Sequence, residues 1–177
     1  MPNPSIPPAA FVAARLRMLA AGLLAMLLAA CTVGLTPAYD ADLAEGLNQT
    51  NHQTMVLFAE LEEGSPAADY AGHAGDYAKA IGAFAELRAR AAARPVPPLA
   101  SRLAKVPIVQ SFCHSKTDPT ACLNASPASL GQVLDTLRTM RATHRSGGLT
   151  PALVEGFERE YITAVQQALT VESALKR

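Results

Sequence analysis

Apolar side chains recur at intervals of three and four residues in four stretches of this chain, and no stretch alternates apolar with polar as a half-buried strand would. In the first, Leu43, Leu47, Thr50, Thr54, Leu57, Phe58 and Leu61 share one helical face. Asp40, Asp42 and Glu45 lie in its first turns, where the positive end of a helix dipole favours acids. The spacing predicts a helix from about Asp40 to Glu63, ended by Gly64-Ser65-Pro66. A second carries Tyr70, Ala74, Tyr77, Ile81, Phe84 and Leu87 and stops before Pro95-Val96-Pro97-Pro98. The third starts at Ser126-Pro127, a capping residue followed by proline in the first turn, and presents Leu130, Val133, Leu134, Leu137 and Met140. Ser146-Gly147-Gly148 stops it, and Thr150-Pro151 repeats the same start for a fourth helix carrying Leu153, Phe157, Tyr161, Ala164, Ala168, Val171 and Leu175. The fold class is therefore all-α. Two tightly linked hairpins joined by a long connection make an antiparallel four-helix bundle the expected architecture. The connection, residues 95–125, is too long to be structureless, and residues 99–110 are expected to hold one or two broken helical turns limited by Pro107.

The amino terminus obeys a different rule. Arg15 and Arg17 precede an uncharged apolar run from Leu19 to Leu28, followed by the small residues Ala29 and Ala30, the order of a secretory signal peptide. That run is well short of the roughly 20 residues a spanning helix needs. Leu28-Ala29-Ala30-Cys31 resembles the lipobox of bacterial lipoproteins, in which a branched apolar residue and two small residues precede a cysteine. The resemblance implies cleavage after residue 30, acylation of Cys31 and anchoring of residues 31–39 as a lipidated tether ahead of a helical domain at 40–177. The alternative is cleavage nearby by an ordinary signal peptidase, with Cys31 a free thiol or a disulfide partner. The residue after the cysteine is Thr32 and not Asp, which in this family implies transfer to the outer membrane. With Cys31 acylated, Cys113 and Cys122 remain to close on each other in an oxidising compartment, stapling the long connection by a ten-residue loop around Thr117-Asp118-Pro119. Such a loop closure is worth about 2.5–3 kcal/mol in the chain-entropy model.

Charge narrows the partners. The chain has 15 basic and 15 acidic side chains, and losing Arg15 and Arg17 with the leader leaves 13 against 15, a formal charge of −2. No run of lysine or arginine forms a stripe, so nucleic acid and anionic head groups are poor partners. If Cys31 holds the membrane, the turns near Gly64 and Gly147 are distal to it, while the long connection and the C-terminus return towards it.

Candidate chemistry is sparse. His52 falls opposite the apolar face of helix one and is expected in solvent, whereas His73 falls among Tyr70, Tyr77 and Phe84, and His144 among Leu130, Leu137 and Met140. Asp69 and Asp76 lie within a helical turn of His73. His73, His144 and Asp76 are thus the candidates for a small metal site or a hydrogen-bonded polar cluster at the distal end. No Cys-x-x-Cys-His haem motif, glycine-rich phosphate loop, Gly-x-Ser-x-Gly elbow or His-Glu-x-x-His helix occurs, so no enzymatic activity and no cofactor is expected. Helix four carries a surplus: Val154, Ile162, Val165 and Leu169 widen its apolar face beyond one bundle seam. Either residues 99–112 cover that face, or a partner helix or second copy does. The expectation is a lipid-anchored envelope protein that binds or scaffolds an envelope partner or forms a homodimer. The alternatives are a ligand or metal binder using His73 and His144, and an immunity or inhibitor lipoprotein.

Overall fold

Asp40 opens the first helix as expected, its Oδ1 accepting the Leu43 amide at 3.0 Å and so satisfying a donor that the first turn leaves without a carbonyl. The computed structural model describes residues 35–112 and 123–176. Among them it is all-helical: α1 is Ala41–Leu61, α2 Tyr70–Ala93, α3 Pro98–Leu103, α4 Pro107–Phe112, α5 Ser126–Gly147 and α6 Pro151–Leu175. Cys31, Cys113 and Cys122, and with them the acylation and the disulfide expected above, lie outside the described residues. Among the described residues no helix is long and apolar enough to cross a membrane.

The four long helices pack in pairs, α1 with α2, α2 with α5, α5 with α6, and α6 with α1. The face of each that carries the three-and-four spacing turns inwards. Leu43, Leu47 and Phe58, Tyr77 and Phe84, Leu130, Leu134 and Met140, and Tyr161 are essentially inaccessible to solvent. Burying one such side chain fully contributes about 1.5–3 kcal/mol, so the repeated spacing is what makes the helices stable together when none would be stable alone. Thr50 and Thr54 sit on the buried face of α1, as their spacing implies, because Thr54 Oγ1 donates to the Thr50 carbonyl at 2.8 Å and hides its polarity in the helix.

Both tight turns end on glycines with left-handed backbones, Gly64 at φ 86° and Gly148 at φ 79°. They meet. Ser65 and Leu149 exchange two backbone hydrogen bonds, at 2.9 Å and 2.7 Å, as an isolated antiparallel bridge. A Cβ on Gly148 would stand 2.9 Å from the Ser65 carbonyl oxygen, so both the dihedral and the space exclude any other residue without strain.

Two expectations need correction. Ser126 is not the cap of α5: Ala125 takes that place, and the Ser126 hydroxyl donates instead to Glu172 Oε1 at 2.5 Å. A buried carboxylate needs donors more than a helix end does, because amides left free at a terminus can find water. The wide apolar face of α6 is the second. Val154 and Val165 are each 2% exposed in the core, and Ile162 and Leu169 pack against it partly buried. Among the described residues α6 packs against both α1 and α5, and a helix with two packed neighbours has two seams to fill.

At the end where residues 35–40 arrive, here the base, two charged clasps tie the helices. Arg90 near the end of α2 takes Asp40 by two nitrogens, at 2.6 Å and 2.8 Å, and reaches Asp42 at 2.9 Å. The Arg90 guanidinium beside Asp40 holds that carboxyl below the usual carboxylate range, with the Leu43 amide assisting and partial burial opposing. Deeper, Arg94 reaches across the core to Glu172 on α6.

Candidate functional site

At the opposite end, where both tight turns lie, the first two turns of α2 supply Tyr70, His73, Asp76 and Tyr77, the last turn of α1 supplies Glu60, and the last turn of α5 supplies His144. The residues of α2 share a face because their separations of three and four are those of a helix surface.

His144 is wholly buried. Its Nδ1 lies 3.3 Å from the Tyr77 hydroxyl and its Nε2 3.1 Å from Ser65 Oγ, so both ring nitrogens are engaged. Three rings surround it: Tyr70 at 5.6 Å and Tyr77 at 5.9 Å, both edge to face, and His73 at 5.7 Å. Burial lowers the His144 pKa and neighbouring His73 adds to the effect, while a hydrogen bond to the Pro66 backbone and the charge of Asp69 oppose it. Burial, then Tyr70 alongside, pushes the Tyr77 phenol well above its ordinary value, so its proton remains available for hydrogen bonding. Together these groups tie the end of α5 to α2 and to the turn at Ser65.

His73 faces outwards from this knot. Its Nδ1 is 3.9 Å from Glu60 Oε2, and one donor atom each from Glu60, His73 and Asp76 lies within 4.8 Å of the others. Asp76 also pairs with Lys79 at 3.1 Å on the same helix. Beside Glu60 and Asp76 runs a groove of about 400 Å³ between α1 and α2, also lined by His52, Gln53, Val56, Leu57, Lys79 and Ala80.

Of the three candidates taken from sequence, His73 and Asp76 are therefore brought together. His144 is their neighbour, but its nitrogens serve Tyr77 and Ser65 and not an open site. Glu60 is the third member, and the sequence carries no signal for it. It lies on the exposed flank of α1, and only the axial register of α1 against α2 places it opposite His73. His52 is exposed, as its position on α1 implies, yet it lines the groove. Val154, Ile162, Val165 and Leu169 do not form one open face: the two valines are in the core.

Comparisons with protein-family models, with curated proteins and with solved structures return no match.

Proposed function

We propose that this chain is a lipid-anchored protein of the bacterial cell envelope, facing the periplasm from the outer membrane, whose helical domain binds or scaffolds an envelope partner. Acylated Cys31 is the anchor, and Leu28-Ala29-Ala30-Cys31 is the sequence that implies it. The helical domain is an antiparallel four-helix bundle with Cys113 and Cys122 stapling its long connection. What supports the bundle is that each long helix packs against two others and that the two tight turns meet at one end.

The observation that carries the anchored reading lies at the base. Leu99, Leu103 and Val106 leave 43%, 39% and 39% of their surfaces exposed on the segment that follows α2. The same end receives the chain coming from Cys31, because the Arg90–Asp40 clasp holds the start of α1 against the end of α2. A tether of about eight residues spans roughly 16 Å as a random coil, which brings those apolar side chains to a bilayer surface. Apolar side chains that cost free energy in water find an apolar medium at the acyl boundary. The end carrying His73 and His144 then points away from the lipid, towards partners.

The test is intact mass and membrane fractionation of the wild type beside Cys31→Ala. A diacyl or triacyl mass on the wild type, with loss of both that mass and membrane association in the variant, is expected. An unacylated wild type that fractionates as soluble would overturn the reading.

A further inference from the structure

We infer that Glu60, His73 and Asp76 form a divalent-cation site with zinc as its preferred ion, a site that does not depend on the anchor. The donor set is one imidazole nitrogen and two carboxylates, drawn from two helices. Imidazole suits zinc and its first-row neighbours, whereas calcium and magnesium are held by oxygen alone. Two carboxylates balance the charge of a divalent ion.

The geometry is close to what coordination needs. Zinc bonds of about 2.0–2.2 Å arranged tetrahedrally put donors roughly 3.4 Å apart. His73 Nδ1 and Glu60 Oε2 are already 3.9 Å apart, and all three donors fall within 4.8 Å. Glu60 is exposed and its side chain long, so it is free to change rotamer towards an ion held by His73 and Asp76. Asp76 must release Lys79, which costs little, because exposed ion pairs of neighbours on one helix are weak and Lys79 is largely in solvent.

His144 is kept out by its buried bonds to Tyr77 and Ser65, and its ring walls the site on the core side. The site is therefore one-sided. Three protein donors leave at least one coordination position, and the groove adjoining Glu60 and Asp76 gives water or a small ligand with its own oxygen donor access to it. An ion with an open position, on the end of the domain that carries the tight turns, is suited to exchange or to joining a second molecule and not to holding the fold together.

The experiment is zinc titration by calorimetry on the chain expressed without a polyhistidine tag, repeated with calcium and magnesium, and on His73→Ala, Glu60→Gln and Asp76→Asn. One zinc per chain is expected, with no comparable calcium or magnesium binding. Affinity should fall at least as far as the roughly 10–100-fold that loss of a mere outer partner costs a metal site. Circular dichroism and melting without zinc should be nearly unchanged in Glu60→Gln and Asp76→Asn, which keep the shape of their side chains, whereas His73→Ala also removes a ring packed against His144 and is read beside them. No zinc binding by the wild type would overturn the inference. So would binding that survives in His73→Ala, or that falls in His52→Gln as far as in His73→Ala.

Discussion

The Arg94–Glu172 clasp is the most deeply buried ion pair among the described residues, and the cost of breaking it can be separated from the net worth of the pair. Glu172 Oε1 and Oε2 accept Arg94 NH2 and NH1 at 2.8 Å each, and the Ser126 hydroxyl adds a third bond at 2.5 Å. The two side chains are 7% and 2% exposed. Arg94 NH2 further reaches Asn124 Oδ1 at 3.0 Å, and Asn124 Nδ2 donates to the Ala91 carbonyl at 2.8 Å, so the end of α2 and the approach to α5 share the network. Glu172→Gln leaves the guanidinium buried against a neutral amide, and Arg94→Met leaves the carboxylate with Ser126 alone. Breaking a buried pair from either side costs about 3–5 kcal/mol, because the remaining charge has lost both water and partner. Arg94→Met with Glu172→Leu removes both charges and fills the space with apolar atoms, a replacement that elsewhere is neutral or stabilising. Arg94 Nε, buried without a hydrogen-bond partner, favours that outcome, since the wild-type pair already leaves one donor unsatisfied. Urea denaturation of the wild type, the three single variants and the double should therefore give large single losses, with the double recovering most of them at unchanged m-value. Single losses below about 1 kcal/mol, or a double equal to the sum of Arg94→Met and Glu172→Leu, would refute the argument that burial makes this pair an all-or-none unit.

Three further outcomes follow from the geometry. His144 titrates below its ordinary value in the fold, so its folded form binds fewer protons than the unfolded chain; its contribution is constant above about pH 6.5 and turns unfavourable as pH falls below that value. Stability measured by urea at pH 7.5 and pH 5 should fall on acidification in the wild type, and by less in His144→Gln; equal falls would show that His144 does not carry the effect. Gly148→Ala forces a side chain into φ 79° and to 2.9 Å from the Ser65 carbonyl, and should cost about 1–3 kcal/mol in a thermal melt. Gly75→Ala on the open face of α2, where a Cβ meets nothing within 4 Å, should instead stabilise by about 0.5–1 kcal/mol; loss at Gly75 or neutrality at Gly148 would count against the assigned backbone.

What could be read from the sequence was local. Asp40, Thr150-Pro151 and the glycines at 64 and 148 act within a few residues of themselves, and each sits where its own chemistry puts it; Thr150 Oγ1 takes the Leu153 amide at 3.3 Å. Ser126 misleads because its best partner, Glu172, is 46 residues away and buried, so a long-range need outweighs a local habit. Nothing in the sequence singles out Glu172, because only Arg94 arriving from across the core distinguishes it from other acids of an amphipathic helix. Glu60 fails to stand out for the same reason: a carboxylate on an exposed flank becomes a candidate ligand only once α2 is set beside α1. The surplus on α6 was visible as apolar area, but the number of its neighbours was not.

The polar contacts at the two ends also do something the apolar seams cannot. Leucines spaced three and four apart present nearly the same surface after a slip of one helical turn, about 5.4 Å, so hydrophobic packing alone discriminates weakly between registers. A shift of that size would carry Arg94 out of reach of Glu172 at the base, and His144 out of reach of Tyr77 and Ser65 at the turns. α2 takes part in both clasps, so its position is fixed from both ends, once against α6 and once against α5. The Arg90–Asp40 pair then sets α1 against α2. It is this last register that brings Glu60 opposite His73 and Asp76. Loosening the base with Arg90→Ala should therefore weaken zinc binding towards the other end of the helices, although Arg90 lies more than half the length of α2 away from the donors. An unchanged zinc affinity in that variant would mean that the α1–α2 turn alone holds the site in register.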